Sequence, residues 1–356
     1  GTVIAYEPFD YDAGTDLLVD APDGGEGWAG AWTINSSNGL EGMAVVQDEG
    51  LEYTDSRGYI LVTEGNHVYV AASVEGNKNA QFQRFFSEAF GSEGGTYYLS
   101  FIGERQGEPD PVDPETGESA YHPNNYGRNA QLAILSEGGG EAAGIGNFSN
   151  LTTDTWKLWS GNGPLDARRG DNDSGVQFSN NRQFAVVKVE VGAGLNGGHI
   201  LSLYLNPDLT GEAYNQPVVS GEAADDGEGL DYLLGGMGLY VGNMNAVRSP
   251  AEMAYDELRL GRTWESVTPN DLDTDGDGTL NTADTDDDGD GLSDEEELML
   301  GTNPLLADSD GDGISDADEV AAGTGPVGTP IAYEPFDYAA GTDLLVEAPD
   351  GGDGWA

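Results

Sequence analysis

Between Asp271 and Pro326, aspartates fall on alternate positions ahead of a glycine three times. Asp273, Asp275 and Asp277 precede Gly278; Asp286, Asp288 and Asp290 precede Gly291; Asp308, Asp310 and Asp312 precede Gly313. Each run then supplies a backbone carbonyl at its seventh position (Thr279, Leu292, Ile314) and a side-chain oxygen at its ninth (Asn281, Asp294, Asp316). A carboxylate closes each at the twelfth (Asp284, Glu297, Glu319). Oxygens at positions 1, 3, 5, 7, 9 and 12 around a sharp glycine turn are the ligand spacing of a hard divalent cation. Six to eight oxygens in a flexible shell favour Ca2+ over Mg2+. An acidic, solvated linker is the other reading of such a run. It leaves the threefold glycine and closing carboxylate unexplained, and no Lys or Arg follows Arg262 to neutralise the charge. The cofactor expected here is therefore Ca2+, with ion binding holding the stretch compact.

The elements that must hold these loops are short. GLSDEEELMLGTNPLLADSDGDGISDADE resembles the thrombospondin type 3 repeats of bacterial surface proteins. The resemblance implies a calcium loop, a short turn of helix including DEEELML, a Gly-Thr-Asn-Pro corner and the next loop, with little apolar core. Residues 270–327 are accordingly expected to be a calcium-stiffened connector.

Residues 1–269 read as strand after strand. Runs such as TYYLSFIGER, QFAVVKVEVGAG, HILSLYLNP and AEMAYDELRLG are rich in β-branched and aromatic residues, with Gly, Asn, Asp or Pro clusters between them. One segment, NAQFQRFFSEAF at 79–90, carries a helical signal. The expected fold class is all-β, a two-sheet antiparallel jelly-roll sandwich with the small calcium-loop connector appended. AYEPFDYDAGT, GGEGWAGAW, TYYLSFIG, VVKVEVGAG with LYLNPDL, and AYDELRLGRTWESVTP resemble landmarks of laminin G-like, concanavalin A-like domains. That resemblance implies fold far more than activity, because the fold carries lectins, glycosidases and spacers alike.

Residues 328–356 repeat residues 1–29, differing only at Val3/Pro330, Asp12/Ala339, Asp20/Glu347 and Glu26/Asp353. Twenty-nine residues cannot bury a core alone. They are expected to be the first strand segment of a further copy of the domain, making this chain one period of a tandem array. A strand donated to a neighbouring chain is the alternative.

Chemistry outside the connector is sparse in the sequence. Glucan-cleaving members of the resembled fold carry E-x-D-x-x-E on one strand, and no such strand is present. The nearest acids are Glu190, two residues after Lys188, and the pair Asp256 and Glu257; neither set repeats at the required period, and Asp256 and Glu257 read as an edge or a closing-strand polar face. His67, His122 and His199 lie in separate segments without ligand spacing. Catalysis is therefore not expected. Loops on rigid β scaffolds often carry binding, and in the Pro-rich segment 107–128 Tyr121, His122, Asn124, Asn125, Tyr126 and Arg128 could stack on a sugar ring and bond its hydroxyls.

Sixty-five Asp and Glu against 13 Lys and Arg give a formal charge of −52. Such a surface repels nucleic acid and anionic lipid. With no cysteine, thiolate and disulfide chemistry are absent. Loops of this type in extracellular modules work at millimolar calcium, so the expected location is the cell surface or beyond. No apolar run is long enough to span a membrane. Together these predict an extracellular tandem-repeat protein, a filament, stalk or adhesin arm, partnered by copies of itself, with surface glycans as alternative ligands.

Overall fold

In the computed structural model, Gly1–Asn270 and Asp271–Ala356 form two compact units. The structure describes residues 3–34, 41–72, 79–92, 94–106, 130–147, 155–160, 173–178, 181–194, 198–223, 234–242 and 251–327.

The strands of the first unit are β1 (Val3–Glu7), β2 (Thr33–Ile34), β3 (Ala44–Gln47), β4 (Ile60–Leu61), β5 (His67–Ala71), β6 (Ala80–Phe90), β7 (Gly95–Gln106) and β8 (Ala130–Ser136). They continue as β9 (Glu141–Asn147), β10 (Thr155–Ser160), β11 (Asp173–Gln177), β12 (Arg182–Val191), β13 (His199–Leu205), β14 (Val219–Ala223), β15 (Leu234–Val241) and β16 (Glu252–Gly261). One antiparallel sheet runs β14-β13-β12-β7-β16-β5-β3, with β1 also on β16. The other runs β11-β10-β9-β8-β15-β6-β2. The unit is thus an all-β, two-sheet sandwich, as its alternating strand pattern predicts.

Register explains why the central strands are apolar on both sides. Val187 pairs with Leu99 on β7 and Leu203 on β13, and all three enter the core between the sheets. Their neighbours Phe184, Val186, Tyr98 and Tyr204 point the other way into a second cluster, under Leu51, Leu61, Leu209 and the short helix α1 (Trp264–Val267). A strand covered on both faces loses the simple apolar-polar alternation. Within these clusters, truncating a large side chain such as Phe101, fully buried, costs about 3–5 kcal/mol.

The segment 79–90 is strand β6, not a helix. Its inward residues Ala80, Phe82 and Phe86 repeat every second position or its multiple, and β6 hydrogen-bonds to β15 and β2. Tertiary pairing outweighs the weak helix preference of Ala, Gln, Arg and Glu.

The opening segment is fastened by a buried ion pair. Arg84 and Glu7 meet with both side chains fully buried. Glu7 also accepts from Trp32 Nε1 at 3.1 Å, Tyr11 Oη at 3.0 Å and the Phe9 amide at 2.9 Å, while Arg84 donates to the carbonyls of Gly24 and Gly30, both at 2.8 Å. A Cβ on Gly27 would lie 2.0 Å from the Ile4 carbonyl oxygen, and its φ is +77°, so glycine is obligatory there.

Asp256 and Glu257 are not a polar strand face. Both are fully buried in the middle of the eight-stranded sheet. The register of β16 shifts between Asp256 and Arg259, with Glu257 at φ 56°, a bulge that turns both carboxylates inward. Asp256 accepts from the Leu51 amide at 2.7 Å, and Glu257 from the Glu64 amide at 2.8 Å and Tyr6 Oη at 2.9 Å, with Arg259 as its ion partner. Burial raises the pKa of both carboxyls.

Among its described residues the second unit carries two helices, α2 (Asp294–Leu300) and α3 (Asp316–Ala322). DEEELML is helical as expected. Leu298, Met299, Leu306 and Ile314 are exposed, so apolar burial does not hold this unit together. No helix among the described residues is long and apolar enough to cross a membrane.

Candidate metal centre

Within each of the three loops the carboxylate oxygens at positions 1, 3 and 5 lie within 4.8 Å of one another. Like charges so close repel by roughly 1 kcal/mol per pair even in bulk water, and by more where solvent is excluded. The backbone holds them there by one repeated scheme. The amide at position 6 donates to the position 1 carboxylate, from Gly278 to Asp273 at 3.2 Å, Gly291 to Asp286 at 3.2 Å and Gly313 to Asp308 at 2.7 Å. The position 5 amide donates to position 3, and the position 7 amide to position 5, in all three. Gly278, Gly291 and Gly313 have φ of +95°, +104° and +97°, which permits the turn.

Position 9 has a job the spacing alone did not disclose. Asn281, Asp294 and Asp316 each accept the amide of position 2 through Oδ1, from Thr274 at 3.1 Å, Asp287 at 3.0 Å and Ser309 at 3.0 Å. This bond ties each loop shut and leaves only the second side-chain atom for other work.

In the second and third loops, position 12 is delivered by a helix. Ser293 caps α2 and Ser315 caps α3, each accepting from the amide three residues on. That places Glu297 and Glu319 in the first turn, Glu297 fully buried and Glu319 4% exposed. Loss of solvation and the nearby Asp288 push the Glu297 carboxyl up to about 7. Loss of solvation also raises Asp286, Asp288 and Glu319.

The fit to a cation rests on atoms left without partners. Buried oxygens on Asp286, Asp287, Asp288, Glu297, Asp316 and Glu319 accept no hydrogen bond. A buried oxygen without a donor costs about 1–3 kcal/mol, more when charged, and all six fall in two adjacent loops and their helices. A hard cation satisfies them; a protein donor does not reach them. Asp273, Asp275, Asp277, Asp286, Asp288, Asp290, Asp308, Asp310 and Asp312, with the twelfth-position acids and the carbonyls of Thr279, Leu292 and Ile314, are the residues that would hold Ca2+. Asp287 is a buried acid outside the expected ligand set. Its signal was its position, where the other loops have Thr274 and Ser309.

The other expected site falls elsewhere. Tyr121, His122, Asn124, Asn125, Tyr126 and Arg128 lie outside the described residues. Of the histidines, His67 meets the Glu49 carbonyl and His199 Nδ1 accepts from the Gly192 amide at 3.0 Å, in different strands.

A second polar surface, which sequence reasoning missed, lies on the outer side of the sheet containing β6, β15, β8, β9 and β10. Gln81 donates to Glu141 at 2.8 Å and Gln131 to Glu141 at 3.3 Å, while Trp159 Nε1 donates to Gln131 at 2.8 Å. The half-buried Trp159 ring lies across Gly144, where a Cβ would meet its Nε1 at 2.4 Å. Burial raises the Glu141 carboxyl. Only the three-dimensional pairing of four strands brings these residues together.

Residues 286–307 and 308–327 match the family described as the bacterial TSP3 repeat. The loop beginning at Asp273 lies outside the match but shares its hydrogen-bond scheme. Among curated proteins no match was found. Similar solved structures include an alginate lyase variant in complex with an alginate tetrasaccharide, 11% identical with a TM-score of 0.42, covering 73% of this chain and 96% of the lyase. An endo-β-1,4-glucuronan lyase from Trichoderma reesei is 13% identical with a TM-score of 0.38, over 68% and 94%. A β-1,3-glucanase from Mycobacterium marinum is 12% identical with a TM-score of 0.39, over 73% and 99%. Such distant likeness transfers no residue role. It does correct the exclusion of catalysis drawn from the sequence, because these sandwiches belong to lyases and a glucanase and the missing E-x-D-x-x-E strand is no ground for that exclusion. The chain thus carries a jelly-roll-like, two-sheet β sandwich and, over residues 286–327, acidic loops that match the bacterial TSP3 repeat.

Proposed function

We propose that residues 271–327 are a calcium-loaded spacer in an extracellular tandem-repeat protein, a filament, stalk or adhesin arm in which each β sandwich is followed by one such connector. The observation that carries this reading is the set of buried, unpartnered carboxylate oxygens in the second and third loops and their helices. Bound Ca2+ would cancel repulsion among the loop acids and convert a flexible linker into a stiff one. Millimolar calcium outside cells suits loops of this type.

The repeated segment supports the tandem arrangement. Tyr333, Glu334, Phe336, Tyr338, Gly354 and Trp355 stand where Tyr6, Glu7, Phe9, Tyr11, Gly27 and Trp28 stand in the first copy. These are residues that fasten the opening segment to its sandwich, so the second copy keeps the chemistry to open another. The test is electron microscopy of the native, full-length protein in calcium and then in excess chelator. Fibres with a regular spacing that chelation loosens support the reading; dispersed particles indifferent to chelation overturn it.

A second reading, glycan binding by the sandwich, is favoured by the outer face bearing Gln81, Gln131, Glu141 and Trp159. Amide hydrogen bonds beside a half-buried indole suit sugar hydroxyls and a pyranose face. Loss of glycan-array signal on Trp159→Ala, with unchanged thermal unfolding, would establish it. An array silent for the unaltered chain would remove it.

A further inference from the structure

The third loop reaches into the second. Asp316 is the ninth residue of the loop that begins at Asp308, yet its surroundings belong to both loops. The amide of Ala317, the next residue, donates to Asp290 Oδ2 of the second loop at 2.8 Å. This bond fixes the start of α3 against the second loop. Asp316 is fully buried, with Oδ1 taken by the Ser309 amide and Oδ2 accepting no bond. Buried oxygens on Asp288 and Glu297, both of the second loop, are likewise unpartnered. The charge of Asp316 contributes to the raised pKa of both of those acids.

We infer that Asp316 Oδ2 is a ligand for the ion of the second loop, so that a carboxylate from the third loop completes the site before it. This rests on the calcium reading above. One step earlier the second loop also approaches the first, at a different loop position. Asp287 of the second loop is 9% exposed with Oδ1 unpartnered, and Asp284 and Asp275 of the first loop are among the charges that act on it. Asp275 also packs on Gly289, where a Cβ would meet its Oδ2 at 2.7 Å. Shared ligands make the loops load together, because an ion in one loop orders the acid that its neighbour needs.

The experiment is calorimetric titration of the full chain with calcium chloride. Asp310→Asn with Asp312→Asn first disables the third loop's own ion, since these acids belong to that loop alone. Adding Asp316→Asn to that background keeps the Oδ1 bond to Ser309, as Asn281 keeps its counterpart in the first loop, and removes only the charged Oδ2. A loss of about tenfold or more in affinity at one remaining site is expected, because carboxylate ligand count sets affinity in such loops. Unchanged affinity in that background overturns the inference. So does an equal loss from Asp318→Asn, which removes an exposed charge from the same helix. In the otherwise unaltered chain, Asp316→Asn should likewise weaken at least one ion; unchanged affinity at every site also overturns it. A chain that takes up no calcium at all is a different outcome and refutes the calcium reading itself.

Discussion

Glu7 and Arg84 show how one pair can decide the fate of a whole segment. Removing one member of a buried ion pair leaves the other charged and unsolvated, which costs about 3–5 kcal/mol. Glu7→Gln is therefore expected to lower the urea midpoint of the sandwich with its m value unchanged, by far more than Asp23→Asn, whose side chain is mostly exposed although it also meets Arg84. Equal shifts would show that the network is not a fastening. Nothing in the sequence marks Glu7 as buried: it stands in AYEPFDY, which reads as an ordinary strand. Asp256 and Glu257 were misread for the same reason. A bulge at Glu257 turns both inward, and bulges leave no composition signal strong enough to place them. The loop acids were legible because ligand spacing is local in sequence, whereas burial of Glu7 depends on Arg84, far away on β6.

At the scale of elements, the connector's pH dependence should reverse sign with calcium. Asp286, Asp287, Asp288, Glu297 and Glu319 all have raised pKa values, chiefly from lost solvation and secondarily from neighbouring loop carboxylates. A carboxyl whose pKa is higher folded than unfolded contributes stability below its unfolded pKa, about 4 for these groups, and loses it as pH rises through the folded value. For Glu297 that value is about 7. In chelator, order in α2 and α3 should therefore increase on acidification from neutral pH toward 5. In calcium the ligands must be ionised, so binding releases protons and weakens as pH falls below about 7. Calcium titration at pH 7 in two buffers of different ionisation enthalpy should give different apparent heats, converging by pH 9. Identical heats at pH 7 would show that Glu297 enters binding already ionised. Helix α2 was readable because Ser293 and Glu296 form a capping box ahead of it. Strand β6 was not, because its sequence suits a helix and only β15 and β2 make it a strand.

For the whole molecule, charge sets the terms. At −52, self-repulsion extends any segment that is not clamped, and repulsion among exposed acids is screened by any salt. The Debye length falls from about 10 Å at 0.1 M to about 3 Å at 1 M, so sodium chloride alone should contract the chelated chain somewhat. Calcium acts differently if it occupies the loops: millimolar amounts change the Debye length little, yet they neutralise particular carboxylates and supply the missing partner for their buried oxygens. Small-angle scattering of the chelated chain should show a gradual contraction over the molar range of sodium chloride, and an abrupt one at millimolar calcium against a constant 0.15 M salt background. Asp275→Ala with Asp310→Ala should remove the abrupt step, keep the gradual one, and leave the near-ultraviolet circular dichroism of the sandwich unaltered, since these acids lie outside Gly1–Asn270. If sodium chloride at matched ionic strength reproduced the calcium step, screening would account for the compaction, and the three loops would be an acidic surface with no ion of their own.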